Sequence, residues 1–104
     1  MANDQAVFIY LDGINLPEEI YEKFDVATLE EQLVKAIKTQ GLGEFDGNEF
    51  GTTEVMLTLY GPSAEKLYAG IESIIARYPL CKGARVILRS GGPGSPEREL
   101  RVRT

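Results

Sequence analysis

The sequence predicts an α+β domain, with two helices laid on one face of an antiparallel sheet. Three observations carry this. Residues Ala6–Asp12 (AVFIYLD) and Glu54–Tyr60 (EVMLTLY) are β-branched and aromatic-rich runs of strand length, closed by the turn signals Asp12-Gly13 and Gly61-Pro62. Residues 28–40 and 64–78 instead repeat apolar residues at helical spacing. Glycine and proline punctuate the boundaries between these runs.

The first run has apolar residues on both faces: Val7, Ile9 and Leu11 on one, Phe8 and Tyr10 on the other. That is the signature of a central strand covered on each side. Pro17, Glu18 and Glu19 then open a short helix or ordered loop, with Ile20, Tyr21 and Phe24 at helical spacing. The first full helix is expected to begin at Thr28, where Thr28-Leu29-Glu30-Glu31 fits a capping box. Leu29, Leu33, Ala36 and Ile37 form its buried stripe, and Gly41 stands where a left-handed C-terminal cap belongs.

Residues 43–50 read as a short edge strand with Phe45 as its inward anchor. Asp46-Gly47 is a hairpin-type signal, so two geometries are open: a tight turn there, or a bulged strand that turns near Gly51-Thr52. In Glu54–Tyr60, Val55, Leu57 and Leu59 face one way and Met56, Thr58 and Tyr60 the other. Ser63 caps a second helix running to about Tyr78, with Leu67, Ile71, Ile74, Ile75 and Tyr78 on its apolar face. Ala84–Ser90 is a strand with Val86 and Leu88 inward and Arg85, Ile87 and Arg89 outward. Gly91–Pro96 is a flexible break. Glu97–Thr104 alternates around Leu100 and Val102 and favours a fifth, edge strand over a loose tail.

The order strand, helix, strand, strand, helix, strand is the ferredoxin-like βαββαβ arrangement, here with an extra C-terminal edge strand. Its second sheet face would carry Phe8, Tyr10, Met56, Tyr60 and Ile87 beside Arg85 and Arg89. A face this apolar is larger than a soluble monomer usually exposes. The Ile14–Phe24 segment, the C-terminal tail, a second subunit or a partner is therefore expected to cover it.

At 104 residues the chain is expected to be a single domain, residues 1–104. The net charge of −5 argues against nucleic acid or an anionic membrane as partner. No basic segment followed by an apolar run opens the sequence, so no secretory leader is expected; no apolar run reaches membrane-spanning length, and the single cysteine, Cys81, excludes an intrachain disulfide. A cytoplasmic location follows as the expectation. Histidine is absent, which removes Ser-His-Asp and Cys-His nucleophiles and the commonest general base. No catalytic residue is assigned and no cofactor is expected.

Three groups of side chains are candidates for function. The aromatic face, Phe8, Tyr10, Met56 and Tyr60 with Arg85 and Arg89, is a candidate binding surface. It has the stacking residues of RNA-binding sheets, but lacks their basic and glycine motif. The acidic hairpin, Glu44, Asp46 and Glu49 with Asn48, Glu54 and Asp12 nearby, offers oxygen ligands for a divalent metal, though its spacing matches no EF-hand loop. The competing reading is an edge strand using charge to block edge-to-edge pairing. The third group is basic: Arg85, Arg89, Arg98, Arg101 and Arg103 beside Gly91–Ser95. It would either cradle an anion or pair with acidic neighbours. Cys81, without a histidine partner, reads as a small apolar filler.

Thr28-Leu29-Glu30-Glu31, then Gly41-Leu42-Gly43-Glu44 with Asp46-Gly47-Asn48-Glu49, Tyr60-Gly61-Pro62 opening a helix, and Val86-Ile87-Leu88-Arg89 before Gly91-Gly92-Pro93-Gly94 resemble a group of small, mostly uncharacterised bacterial α+β proteins. The resemblance implies a compact α+β domain and carries no activity. The size and acidity also match those of immunity proteins, in which Glu44, Asp46 and Glu49 would meet a basic toxin surface. The expected function is accordingly protein binding, to a partner or as a homodimer, without enzymatic activity. The alternative is a small-ligand or metal-binding domain at the acidic hairpin. A carboxylate-dependent enzyme ranks third.

Overall fold

The computed structural model describes residues 4–102. Its elements are β1 (Gln5–Asp12), α1 (Glu18–Lys23), α2 (Val26–Gln40), β2 (Glu44–Phe50), β3 (Glu54–Gly61), α3 (Ala64–Arg77), a 3-10 turn (Pro79–Cys81), β4 (Arg85–Arg89) and β5 (Glu97–Arg101). The five strands form one antiparallel sheet in the order β2-β3-β1-β4-β5.

The strand facing follows the sequence alternation. Val7, Ile9, Leu11, Leu57, Leu59, Val86 and Leu88 are buried against Leu29, Leu33 and Ile37 of α2 and Leu67, Ile71 and Ile75 of α3. Both long helices thus lie on one sheet face, each held by a Leu/Ile stripe at helical spacing. β1 is the middle strand of the five, apolar on both sides and paired with β3 and β4.

Strand ends differ from expectation by a residue, and three helix boundaries differ as well. The cap of α2 is Asp25, whose carboxylate accepts the Thr28 N–H at 2.8 Å. Thr28 lies inside the helix, because Asp25 is as good a cap and the earlier start brings Val26 against the core. α1 begins after Pro17 rather than on it. α3 ends at Arg77, and Tyr78 caps it before the proline turn. Ser63 caps α3 as predicted, accepting from the Lys66 N–H at 3.2 Å. Gly41 closes α2 in the left-handed conformation, with φ 65°.

Of the two hairpin geometries, the bulged strand is the one formed. The β2–β3 register shifts between Phe45 and Gly47, and the turn falls at residues 51–53. Gly51 N–H donates to the Glu54 carbonyl at 2.8 Å and Gly13 N–H to the Thr53 carbonyl at 2.9 Å, so this turn is stitched to the end of β1.

The break at residues 91–96 is an ordered loop. Ser90 N–H donates to the Pro96 carbonyl at 3.1 Å, Ser95 N–H to the Gly92 carbonyl at 3.0 Å, and Arg89 Nε to the Gly91 carbonyl at 2.7 Å. It delivers β5 onto β4, with Leu100 opposite Val86 on the core side and Val102 buried. Arg103 lies outside the described residues.

Candidate functional site

The six residues singled out on the aromatic face do come together. Reading across the sheet, Ala6 lies between Tyr60 and Arg89, Phe8 between Thr58 and Ile87, and Tyr10 between Met56 and Arg85. All point away from the helices. Among the described residues neither expected intrachain cover lies over them. Leu16, Ile20, Tyr21 and Phe24 pack against the helix-side core instead. Tyr21 fixes that placement: its hydroxyl donates to the Asp12 carbonyl at 2.9 Å and accepts the Leu16 N–H at 3.1 Å. The tail extends the sheet edge as β5.

The face is partly clad by its own arginines. The Arg85 guanidinium lies 4.4 Å from the Tyr10 ring centroid, and that of Arg89 lies 5.3 Å from the Phe8 centroid. Both are within cation–π range, and the rings beneath them are half-buried. Arg85 is further anchored, its Nη2 reaching both Glu54 carboxylate oxygens at 3.3 Å, with Glu99 at 3.9 Å. Among the described residues Arg89 makes no ion pair. The expected basic region is therefore divided. Arg98 turns to the helix side and pairs with Glu65 of α3 at 2.6 Å, while Arg101 joins Glu99 at 3.7 Å.

The acidic hairpin residues are spread along β2. Glu44 and Glu49 face the open side, opposite Tyr60 and Met56, and Asp46 is the extra residue of the bulge. Among the described residues no three carboxylate or thiol groups converge as metal ligands would. Asn48, on the helix side, donates to the Glu30 carboxylate of α2 and ties the edge strand down.

Sequence reasoning missed one feature. At the end of the sheet beside the residue 51–53 turn lies a groove of about 490 Å³, walled by Leu11, Tyr21, Phe24, Val26, Val55 and Leu80, with Phe50 on its rim. Phe50 is 64% exposed, more than any other large apolar side chain among the described residues. The groove exists because α1 is only six residues long and leaves the end of the core open. The aromatic spacing of Tyr21 and Phe24 was the available signal.

The resolved titration shifts follow burial and local hydrogen bonds. The Asp12 carboxyl lies below its ordinary value, mainly because it accepts the Ile14 N–H and also that of Asn15, against some burial. Asp25 is lowered by its hydrogen bonding to Thr28. Burial pushes the Cys81 thiol up to about 12, so the sulfur is a protonated core atom at neutral pH. Burial also raises the Tyr68 and Tyr78 hydroxyls.

Comparison with known protein families, curated proteins and solved structures gives no match to this chain.

Among the described residues no helix is long and apolar enough to cross a membrane.

Proposed function

We propose that this chain is a protein-binding domain that works through the open sheet face. One observation carries the reading: Phe8, Tyr10, Met56 and Tyr60 form a continuous band on the sheet with no element of the described chain packed over it. Aromatic residues, methionine and arginine are the side chains enriched where proteins dock. Cation–π contacts hold Arg85 and Arg89 over the band, which limits the ordering that docking requires. In fold terms we read the first four strands as a ferredoxin-like unit with β5 appended; the two crossover helices on one face support this.

The test is photocrosslinking in the expressing cell, with the photoreactive residue placed at the half-buried Ile87 on the open face or at Val34 on α2. Adducts of defined mass at Ile87 alone support the reading. Equal labelling at both positions, or none at Ile87, overturns it.

A second reading is favoured by the groove beside the hairpin turn. Its volume lies within the range of small-molecule sites, and its walls are largely apolar. An apolar fluorescent dye should bind there, and Ala27→Trp, which fills the groove, should abolish the signal. A dye response that survives the filling substitution removes this reading.

A further inference from the structure

Resting on the docking reading above, we infer that the partner of the open face is a second copy of this chain, related by a twofold axis parallel to the strands and centred on the β1–β3 seam. The argument is the order of side chains across the sheet. One row reads Glu44, Tyr60, Ala6, Arg89. A second row, at the other end of the same strands, reads Glu49, Met56, Tyr10, Arg85. Over the four strands β2, β3, β1 and β4 each runs acid, aromatic or apolar, aromatic or apolar, base about the seam, while β5 lies outside the paired rows and adds Glu97 beside Arg89 and Arg101 beside Arg85.

A twofold along the strands turns each row over onto itself. Glu44 then meets Arg89 of the partner subunit, and Glu49 meets the partner's Arg85. In the middle, Tyr10 falls on Met56 of the partner subunit, two half-buried side chains of the open face. A twofold across the strands would instead lay β2 carboxylates over β2 carboxylates. The interface is isologous, so every contact is made twice. Glu44, Glu49 and Arg89 make no ion pairs within the described residues, which leaves them available.

Size sets the strength. Four strands spaced about 4.8 Å apart, over about six residues of about 3.3 Å each, give a footprint of roughly 400 Å² per copy. That is about half the usual area per partner, so the dimer is reversible and concentration-dependent.

Sedimentation velocity of the full chain from micromolar to millimolar concentration tests this. The wild type should shift from monomer to dimer. Glu44→Arg alone and Arg89→Glu alone should each weaken the dimer by about tenfold or more, since each change counts twice and turns attraction into repulsion. The double variant Glu44→Arg/Arg89→Glu should restore it, whereas Lys35→Glu on α2 should leave it unchanged. Should a variant fail to fold, hydroxyl-radical oxidation of Met56 in the wild type decides: its rate should fall along the dimerisation isotherm. A dimer indifferent to the face substitutions, or Met56 oxidation independent of concentration, overturns the inference. A wild-type monomer throughout also overturns it, while adducts at Ile87 would still support docking of a different protein.

Discussion

Leu57 and Met56 are neighbours on β3, and the structure assigns them opposite fates. Leu57 is fully buried, opposite Ile9 and inside the cluster formed by both long helices. Met56 is half-buried on the open face beside Tyr10. Leu57→Ala removes three carbons from a packed site, and the surroundings collapse only in part. The cost is about 2–5 kcal/mol, or roughly 10–30 °C in Tm for a domain of this size. Met56→Ala trims a side chain that already meets water, and should cost about 1 kcal/mol or less. Guanidinium unfolding followed by far-UV circular dichroism gives both values; the chain has no tryptophan to report on it. The samples must be dilute, because association would add apparent stability. An unchanged m-value would show that the folded and unfolded ensembles are comparable. A loss below about 1 kcal/mol for Leu57→Ala, or an equal loss for Met56→Ala, would refute the assignment of strand faces.

Three further outcomes follow from local features. Asp25→Ala should lower the Tm more than Thr28→Ala, because the Asp25 carboxylate is the cap of α2; the reverse order in a thermal melt would restore the Thr28 start. Gly43 and Gly47 share nearly the same φ, 148° and 146°, but a Cβ at Gly43 would meet the Tyr60 carbonyl oxygen at 2.0 Å while Gly47 has open space. Gly43→Ala should therefore destabilise clearly more than Gly47→Ala in the same melt, and equal losses would mean backbone strain alone matters. The Cys81 thiol is raised by burial, so the folded state holds that proton more firmly than the unfolded chain. Its contribution is complete below the ordinary thiol range and is lost as pH rises from 9.0 towards about 12. Cys81→Ala should flatten the alkaline fall in stability. Part of the slope should remain, because Tyr68 and Tyr78 are raised too.

The sheet faces and helix stripes were legible because their periods, two and 3.6, are written directly in the order of apolar residues. The helix-side anchors Leu57, Val86, Leu67 and Ile71 could be read this way, and so could the shared outward facing of Phe8, Tyr10, Met56 and Tyr60. The α2 start was less legible, since Asp25 and Thr28 are both good caps and the packing of Val26 chose between them. The bulge was open for a similar reason: three glycines permit several turns, and the pairing of Phe45 with Leu59 selects one. The separation of Arg98 from Arg85 needed the β5 register, which depends on an ordered loop that composition presents as flexible. The end groove was hidden because it is a gap between elements, set by where a six-residue helix stops.

The position of β1 bears on the order in which the chain leaves the ribosome. The most apolar strand is made first, yet its two edges are satisfied by β3 and by β4, which begins only at Arg85. Until then one edge of Ala6–Tyr10 offers unpaired N–H and C=O groups between two apolar faces, the combination that recruits other chains. Pairing of the second edge waits for β4, so a chain stopped before Arg85 should sediment as aggregate rather than as a smaller domain. The arginines that later lie over Tyr10 and Phe8 arrive on the same strand that closes this edge. Pairing and cladding of the central strand are thus a single late event.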